Sequence, residues 1–239
     1  MNGHGRRALV LGGTGAVGSA VVRELSRAAI PVHFTYHQNE EKAKALQAET
    51  SAMGRHLDLT KPNAIASLAE ALLHEGASPD IVVFCAGVVR PARIDQATDE
   101  DWETTMAIHG RAAFQVCRDF GKQMAERGRG ELLLVSALDR TQSLPIPATF
   151  AASQGLVSAL VMAAGKDLGP RGVRVNAIAL GLLDAGIGRE LDPKLITDYK
   201  SLSALRRLGT PEEAARTIGW LALQNTYLNG KVVSANGGI

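Results

Sequence analysis

A glycine-rich turn near the start of the chain has the residue types and spacing to bind a phosphate group. Residues 11–18 read LGGTGAVG and lie between a short aliphatic run and an amphipathic stretch. Glycines permit a tight turn, let backbone N–H groups approach a pyrophosphate, and place it at the positive end of the following helix. This context favours a dinucleotide-binding loop over a purely structural turn. The candidate cofactor contacts are Gly12, Thr14, Gly15, Ala16, Val17 and Gly18.

The residues after the second aliphatic run bear on which dinucleotide would bind. Tyr36 and His37 are followed by Gln38 and Asn39, so this segment has no acid to hold the ribose 2′-hydroxyl of NAD. A protonated His37 could face a 2′-phosphate, although an exposed histidine is usually only solvated. The pattern favours NADP(H) over NAD(H).

Two later segments complete the cofactor prediction. Asp58 and Leu59 follow the third run, where a carboxylate can accept a hydrogen bond from an adenine amino group. Their Asp-Leu-Thr-Lys-Pro setting is equally typical of a turn. Cys85, Ala86 and Gly87 end the fourth run with small residues, which permit the close approach of a cofactor.

Short aliphatic runs alternate with stretches of helical periodicity along the whole chain. The runs lack polar alternation, which is typical of parallel strands covered on both faces. Right-handed crossovers would place the helices on both faces of one sheet. We therefore predict a single α/β domain over residues 1–239, a Rossmann-like doubly wound parallel sheet of about seven strands. The predicted strands are Arg7–Leu11, Val32–Tyr36, Gly54–Leu57, Ile81–Phe84, Leu132–Ser136, Val173–Ile178 and Lys231–Ser234, and the predicted helices include Gly18–Ala29, Ala64–His74, Trp102–Arg127 and Thr149–Leu168.

The C-terminal third contains one clear helix start and one irregular segment. Thr210-Pro211-Glu212-Glu213 combines a capping residue, a proline at the first helical position and acids in the first turn. Residues 186–207 mix Gly, Pro, Asp and Lys with scattered leucines. This segment is compatible with a lid over a cleft or with two short surface helices.

Composition excludes several classes of function. The net charge is +2, and the basic residues are interspersed with acids, so we expect no nucleic-acid partner. We find no stretch long and apolar enough to span a membrane, and no metal-ligand spacing around the two cysteines, Cys85 and Cys117. Free thiols suit a reducing compartment. We expect a cytoplasmic protein without a metal site.

Several motifs in the same order give the chain a resemblance to the short-chain dehydrogenase/reductase family, most closely to its 3-oxoacyl-(acyl carrier protein) reductase-like members. The likeness covers essentially the whole chain. Ala16 departs from it, since compact members have a glycine there. The motifs are Gly12-Gly13-Thr14, Asp58-Leu59-Thr60, Ala86-Gly87, Asp101-Trp102, Arg174-Val175-Asn176-Ala177 and Asn236-Gly237-Gly238.

The resemblance also implies an Asn-Ser-Tyr-Lys catalytic set, and this chain departs from it at every position. The asparagine is replaced by His109, and the serine position falls on Ala137, directly after Ser136. The tyrosine is replaced by Phe150 and the lysine by Gln154. A shift of one residue would recruit Ser136, but no such shift places a tyrosine near position 150 or a lysine near position 154.

These replacements remove the proton source that carbonyl reduction needs. In the family mechanism, a phenol gives its proton to the carbonyl oxygen, and a nearby ammonium lowers the pKa of that phenol. Phe150 has no proton to give, and Gln154 is neutral. General acid catalysis of this kind contributes roughly 10²- to 10⁴-fold. We expect ordinary ketoreductase turnover to be nearly abolished.

Three functions remain open from the sequence. The first is a non-catalytic family member that binds NADP(H) and acts as a partner subunit, either in a homo-oligomer (dimer or tetramer) or beside an active paralogue. The second is an atypical reductase with another proton donor, for which His109 is the leading candidate, followed by Asp139 and Tyr199. The third is a sensor of an acyl or aromatic small molecule in a cleft that Phe150 makes more apolar.

Overall fold

A parallel sheet forms the centre of the molecule. The computed structural model describes residues 5–137, 146–186 and 192–239, and within them the sheet has seven strands in the order β3-β2-β1-β4-β5-β6-β7. The order reverses between β1 and β4, which creates a crevice at the carboxyl ends of these strands. The strands are β1 (Ala8–Leu11), β2 (Val32–Tyr36), β3 (Met53–His56), β4 (Ile81–Phe84), β5 (Gly130–Ser136), β6 (Val173–Leu180) and β7 (Val232–Ala235).

Helices cover both faces of the sheet, as the sequence predicts. One face packs on α1, α2 and α9, and the other on α3 and on the helices that follow β4 and β5. The helices are α1 (Ala16–Arg27), α2 (Glu40–Thr50), α3 (Ala64–His74), α4 (Asp99–Thr105), α5 (Ala112–Gln115), α6 (Gly121–Glu126), α7 (Ala148–Leu168), α8 (Pro193–Leu202) and α9 (Pro211–Gln224).

Strand burial explains why the aliphatic runs predicted the sheet well. Every residue of β1 and β4 is buried, since these central strands are covered on both faces. The two edge strands, β3 and β7, contain no fully buried residue, and Met53 of β3 is exposed. The predicted bounds of β3 are one residue late.

Three helical segments differ from the prediction. Helix α2 was not predicted, because it buries only Ala43 and Leu46 and so has a weak apolar pattern. The predicted helix 102–127 is a continuous path of α4, α5 and α6 interrupted by π-helical segments at Met106–Arg111 and Val116–Phe120. In the irregular segment, the structure shows α8, which begins after an Asp192 cap.

The predicted start of the last helix is confirmed. The Thr210 hydroxyl accepts a hydrogen bond from the Glu213 backbone N–H, and the Glu213 carboxylate accepts one from the Thr210 N–H. Pro211 occupies the first turn, where it lacks only an N–H that the helix does not use. This capping box fixes the entry into α9, which packs against α1.

One helix is long and apolar enough to cross a membrane, whereas the sequence led us to expect no such segment. Residues Ala148–Arg171 contain an 18-residue window of mean hydropathy 1.4, long and apolar enough to cross a membrane by length and composition. That prediction was wrong on this criterion. In the structure, 44% of the window is buried, and α7 packs against β5 and β6. Such burial is typical of a core helix against a sheet.

A fully buried carboxyl group lies at the opposite end of the sheet from the crevice. Glu131, in β5, accepts a hydrogen bond from Arg174 Nε at 2.8 Å and one from Asn225 Nδ2 at 3.3 Å. Burial raises the pKa of Glu131 to about 7, although both partners favour its charged form. The folded protein therefore retains a proton that the unfolded chain releases near pH 4.5.

We predict that Glu131 makes the protein less stable as pH rises. Its folded pKa lies above its unfolded value, so its contribution is complete below about pH 4.5 and is lost as pH rises through about 7. The shift corresponds to about 3 kcal/mol of unfolding free energy. Urea unfolding across this range will show that Glu131→Gln lacks the decline, whereas Glu103→Gln, an exposed acid on α4, retains it. Parallel pH profiles for Glu131→Gln and the wild type would refute the assignment.

Candidate active site

The predicted phosphate-binding loop joins β1 to α1 with a close backbone approach. Gly12 has a φ of +81°, and a Cβ on it would lie 2.7 Å from the Ala86 Cα. Gly15 is the N-cap of α1, and it supplies no side-chain hydrogen bond to the first turn. The N–H groups of that turn are therefore available for an anion, which fits the pyrophosphate of a dinucleotide.

A cavity of about 380 Å³ opens beside this loop, at the carboxyl ends of β1, β4, β5 and β6. It brings the loop together with the small residues after β4 and with all four positions of the replaced catalytic set. The predicted site residues that line it are Gly15, Ala16, Val17, Cys85, Ala86, Gly87, His109, Ala137, Phe150 and Gln154. This cavity is the candidate active site.

The other predicted cofactor residues lie outside this lining. Tyr36 ends β2 and His37 follows it, and the ring centroids of both lie within 6 Å of that of His56 (5.9 and 5.7 Å). Asp58 accepts hydrogen bonds from the Thr60 N–H and hydroxyl at 2.9 and 2.7 Å, and these bonds lower its pKa. The turn role of Asp58 is thus present in the structure.

Three further predicted cofactor residues, Gly18, Thr14 and Leu59, also lie outside the cavity lining. Gly18 lies under the loop, where a Cβ would meet the Gly12 carbonyl oxygen at 2.2 Å, so its role is in packing. Thr14 is half-buried in the turn itself, and Leu59 packs at the edge of the core.

Gln154 is the centre of a buried hydrogen-bond network. Its Oε1 accepts from the Ser136 hydroxyl at 3.0 Å and from the Ala137 backbone N–H at 3.1 Å. Its Nε2 lies 3.3 Å from His109 Nδ1 and donates to the Ser153 hydroxyl at 3.2 Å. Because Gln154 is 2% exposed, these partners satisfy the amide without water.

His109 lies on the first π-helical segment and points into the cavity wall. Its Nε2 is 2.8 Å from the Val88 carbonyl oxygen and 3.0 Å from the Val88 nitrogen. The ring of Phe150 meets it edge to face, with centroids 5.4 Å apart. Burial lowers the pKa of His109, and the Val88 hydrogen bond opposes this only in part. The imidazole is therefore neutral at physiological pH.

Some residues of this network were not predicted from the sequence. Val88 contributes only backbone groups, which no side-chain pattern reveals. Ser153 donates to the Phe150 carbonyl oxygen at 2.7 Å, as a helical serine commonly does. Gly87 was predicted as a cofactor contact, and the structure adds a second reason for glycine, since a Cβ there would lie 2.6 Å from His109 Cε1.

Of the two weaker candidates for a proton donor, Tyr199 and Asp139, the structure describes only Tyr199. Tyr199 was proposed as a lid residue, but it is 1% exposed on α8 and its hydroxyl donates to the Asn236 carbonyl oxygen at 3.0 Å. Burial raises its pKa, and it does not line the cavity. It packs α8 onto the C-terminal segment instead. Asp139 lies outside the described residues.

Cysteine and metal chemistry find no support at this site. Burial raises the pKa of the Cys85 and Cys117 thiols to about 12, so neither is a reactive thiolate. In the three described ranges of the chain, no group of three or more His, Cys, Asp or Glu side chains could hold a metal ion.

Comparisons with known proteins agree with this fold. A family model described as enoyl-(acyl carrier protein) reductase matches residues 13–239. The 3-oxoacyl-(acyl-carrier-protein) reductase FabG of Chlamydia trachomatis serovar D is 24% identical over 240 aligned positions, which cover 98% of this chain and 97% of the relative.

Two solved structures show the same similarity in three dimensions. A short-chain dehydrogenase/reductase from Serratia marcescens matches with a TM-score of 0.91 at 24% identity, over 100% of this chain and 99% of that one. The crystal structure of BdcA in complex with NADPH matches with a TM-score of 0.89 at 25% identity, over 98% and 94% of the two chains.

We predict that two glycines of the loop respond differently to the same substitution. Gly12→Ala will lower the unfolding free energy by about 2 kcal/mol or more, because its φ is positive and its new Cβ would meet Ala86. Gly15→Ala will cost less than about 1 kcal/mol, because its φ is −71° and the nearest atom lies 3.4 Å away. Urea unfolding of both variants measures the difference, and equal losses would contradict this account of the loop.

Proposed function

The chain belongs to the short-chain dehydrogenase/reductase family, and from this premise we propose that it binds NADP(H) without catalysing ordinary ketone reduction. The observation that carries the proposal is the network around Gln154. Ser136 and Ala137 both donate to the Gln154 amide oxygen, and the two ring nitrogens of His109 contact Gln154 and Val88. This leaves none of these groups a proton directed at a carbonyl oxygen in the cavity.

The cofactor part of the proposal has independent support. The uncapped start of α1 and the glycine loop fit a pyrophosphate. BdcA, a structural relative, is seen with NADPH. NADP(H) is favoured over NAD(H) because β2 is followed by His37, Gln38 and Asn39, none of which is an acid, and His56 lies beside His37. Bound in this crevice, the cofactor would supply hydride chemistry, while the chain would hold and orient it.

A role as a partner subunit agrees with the exposed apolar side chains on α7 and on the helical path from α4 to α6. Trp102 on α4, Phe114 on α5 and Met162 on α7 are each between 39% and 49% exposed. We propose that these helices mediate assembly into a homo-oligomer or with an active paralogue in the cytoplasm. Native mass spectrometry of the purified chain, alone and mixed with such a paralogue, would test this. A persistent monomer in both samples would contradict it.

An atypical reductase is the second candidate function, because His109 is the one histidine among the described residues that line the cavity. A water molecule could carry a proton from it to a substrate. A sensor of an acyl or aromatic ligand is the third, supported by the apolar contribution of Phe150. Both remain alternatives to be separated by experiment.

We predict that the protein binds NADPH but does not oxidise it with a simple β-ketoacyl thioester. Calorimetry with NADPH and NADH will show tighter binding of NADPH. NADPH oxidation in the same sample will run at least about 10²-fold more slowly than with an active 3-oxoacyl-(acyl-carrier-protein) reductase, because the general acid is missing.

The controls distinguish the alternatives. Turnover that His109→Ala abolishes, in a variant whose circular dichroism is unchanged, would replace our proposal with the atypical reductase. Failure to bind either dinucleotide would refute the cofactor half. A thermal shift with aromatic or acyl ligands but with neither dinucleotide would favour the sensor.

A further inference from the structure

The orientation of the Gln154 amide is decided by the backbone. The oxygen and nitrogen of such an amide are assigned from their hydrogen-bond partners. Here the Ala137 N–H can only donate, so the amide atom 3.1 Å from it must be the oxygen. The Ser136 hydroxyl, 3.0 Å from the same atom, is satisfied by this choice. The amide nitrogen therefore faces His109.

This orientation decides which nitrogen of His109 carries the proton. The Gln154 NH₂ group is a donor only, so His109 Nδ1, 3.3 Å away, must accept and carries no proton. The proton of the neutral ring is then on Nε2, which donates to the Val88 carbonyl oxygen at 2.8 Å.

Val88 by itself would allow either tautomer. Its carbonyl oxygen can accept from an Nε2–H, and its N–H, 3.0 Å from Nε2, can donate to an Nε2 without a proton. In the second tautomer, an Nδ1–H would face the Gln154 NH₂, two donors without an acceptor. Only Gln154 distinguishes the two.

We infer that Gln154 is a positioning residue that holds His109 as the neutral Nε2–H tautomer and opposes its protonation. An imidazolium would place the same Nδ1–H against the amide donor. Gln154 stands where the family has a lysine. The tautomer of His109 follows from hydrogen bonds alone, and only the consequence that the cavity lacks an acid rests on the proposed function. The tautomer can be measured whether or not a cofactor binds.

Among the described residues that line the cavity, none supplies a counter-ion to His109 that would reverse this arrangement. The groups packed against its ring are Gly87 and Val88 after β4, and Phe150 and Gln154 on α7. Within the described residues, the other titratable group lining the cavity is the Cys85 thiol. On its own π-helical segment, Arg111 donates to the Thr60 carbonyl oxygen instead.

The test is ¹⁵N and ¹³C NMR of the histidine rings across pH. The chain has six histidines, and the spectrum of His109→Ala identifies the relevant signal. We expect wild-type His109 to give the Nε2–H signature at neutral pH, and burial lowers its pKa, so the ring resists protonation as the pH falls. An Nδ1–H signature, or a cation at pH 6, would overturn the inference.

Gln154→Glu tests the role of Gln154 by replacing the amide donor that faces His109 Nδ1 with an acceptor. The carboxylate still accepts from Ser136 and Ala137, but it now presents an acceptor to Nδ1. We expect His109 to become a cation at neutral pH, with proton affinity raised at least about tenfold. Unchanged titration would overturn the inference, because a purely structural Gln154 would leave the ring as it was.

Two further variants keep this test interpretable. Gln115→Glu places the same change at another buried glutamine, which donates to the Pro62 carbonyl oxygen, and it should leave the His109 signal unchanged. Gln154→Met removes the amide with little change in shape, and the two tautomers should then both be seen. A single Nε2–H form in Gln154→Met would show that Val88 suffices and would overturn the role of Gln154.

Discussion

The site depends on one backbone group, the N–H of Ala137. It directly follows β5 at the carboxyl edge of the sheet, and a half-buried backbone N–H at such a position needs an acceptor. Gln154 supplies the acceptor across the crevice from α7. Among substitutions at position 137, only proline would remove this donor. The polarity of every hydrogen bond beyond it, through the amide to His109 and on to Val88, therefore follows from this one contact.

The parallel sheet places these groups within reach of each other. Strands β4 and β5 are neighbours, so their carboxyl ends bring Gly87 and Ala137 to the same edge, and α7 covers that edge from one face. The reversal of strand order between β1 and β4 opens the space for a dinucleotide. Glycine is required where elements approach most closely, as between Gly12 and Ala86 and between Gly87 and His109. The same edge thus combines the glycine loop with the network around Gln154.

The sequence was informative where a pattern of side chains reflects burial. The strands were found because they are buried on both faces, whereas α2 was not, since it buries little apolar surface. The four replaced positions were identified through the family frame, and the structure brings all of them to one cavity. Their hydrogen bonds could not be foreseen, because Val88 and Ala137 take part through the backbone. Tyr199 was misjudged for a related reason: its hydroxyl bonds to a backbone carbonyl at the distant Asn236.

The replacements at the site depend on one another. An ammonium at position 154 would be a second donor beside the Ala137 N–H, whereas an amide offers an acceptor to Ala137 and a donor to His109. A neutral His109 can then pack edge to face against Phe150 without placing a charge in an apolar cavity. Restoring a phenol at position 150 alone would add a hydroxyl but no cation to lower its pKa. If the proposed loss of reductase chemistry holds, a single reversion would not restore it, since each of these residues satisfies the hydrogen bonds or the packing of the others.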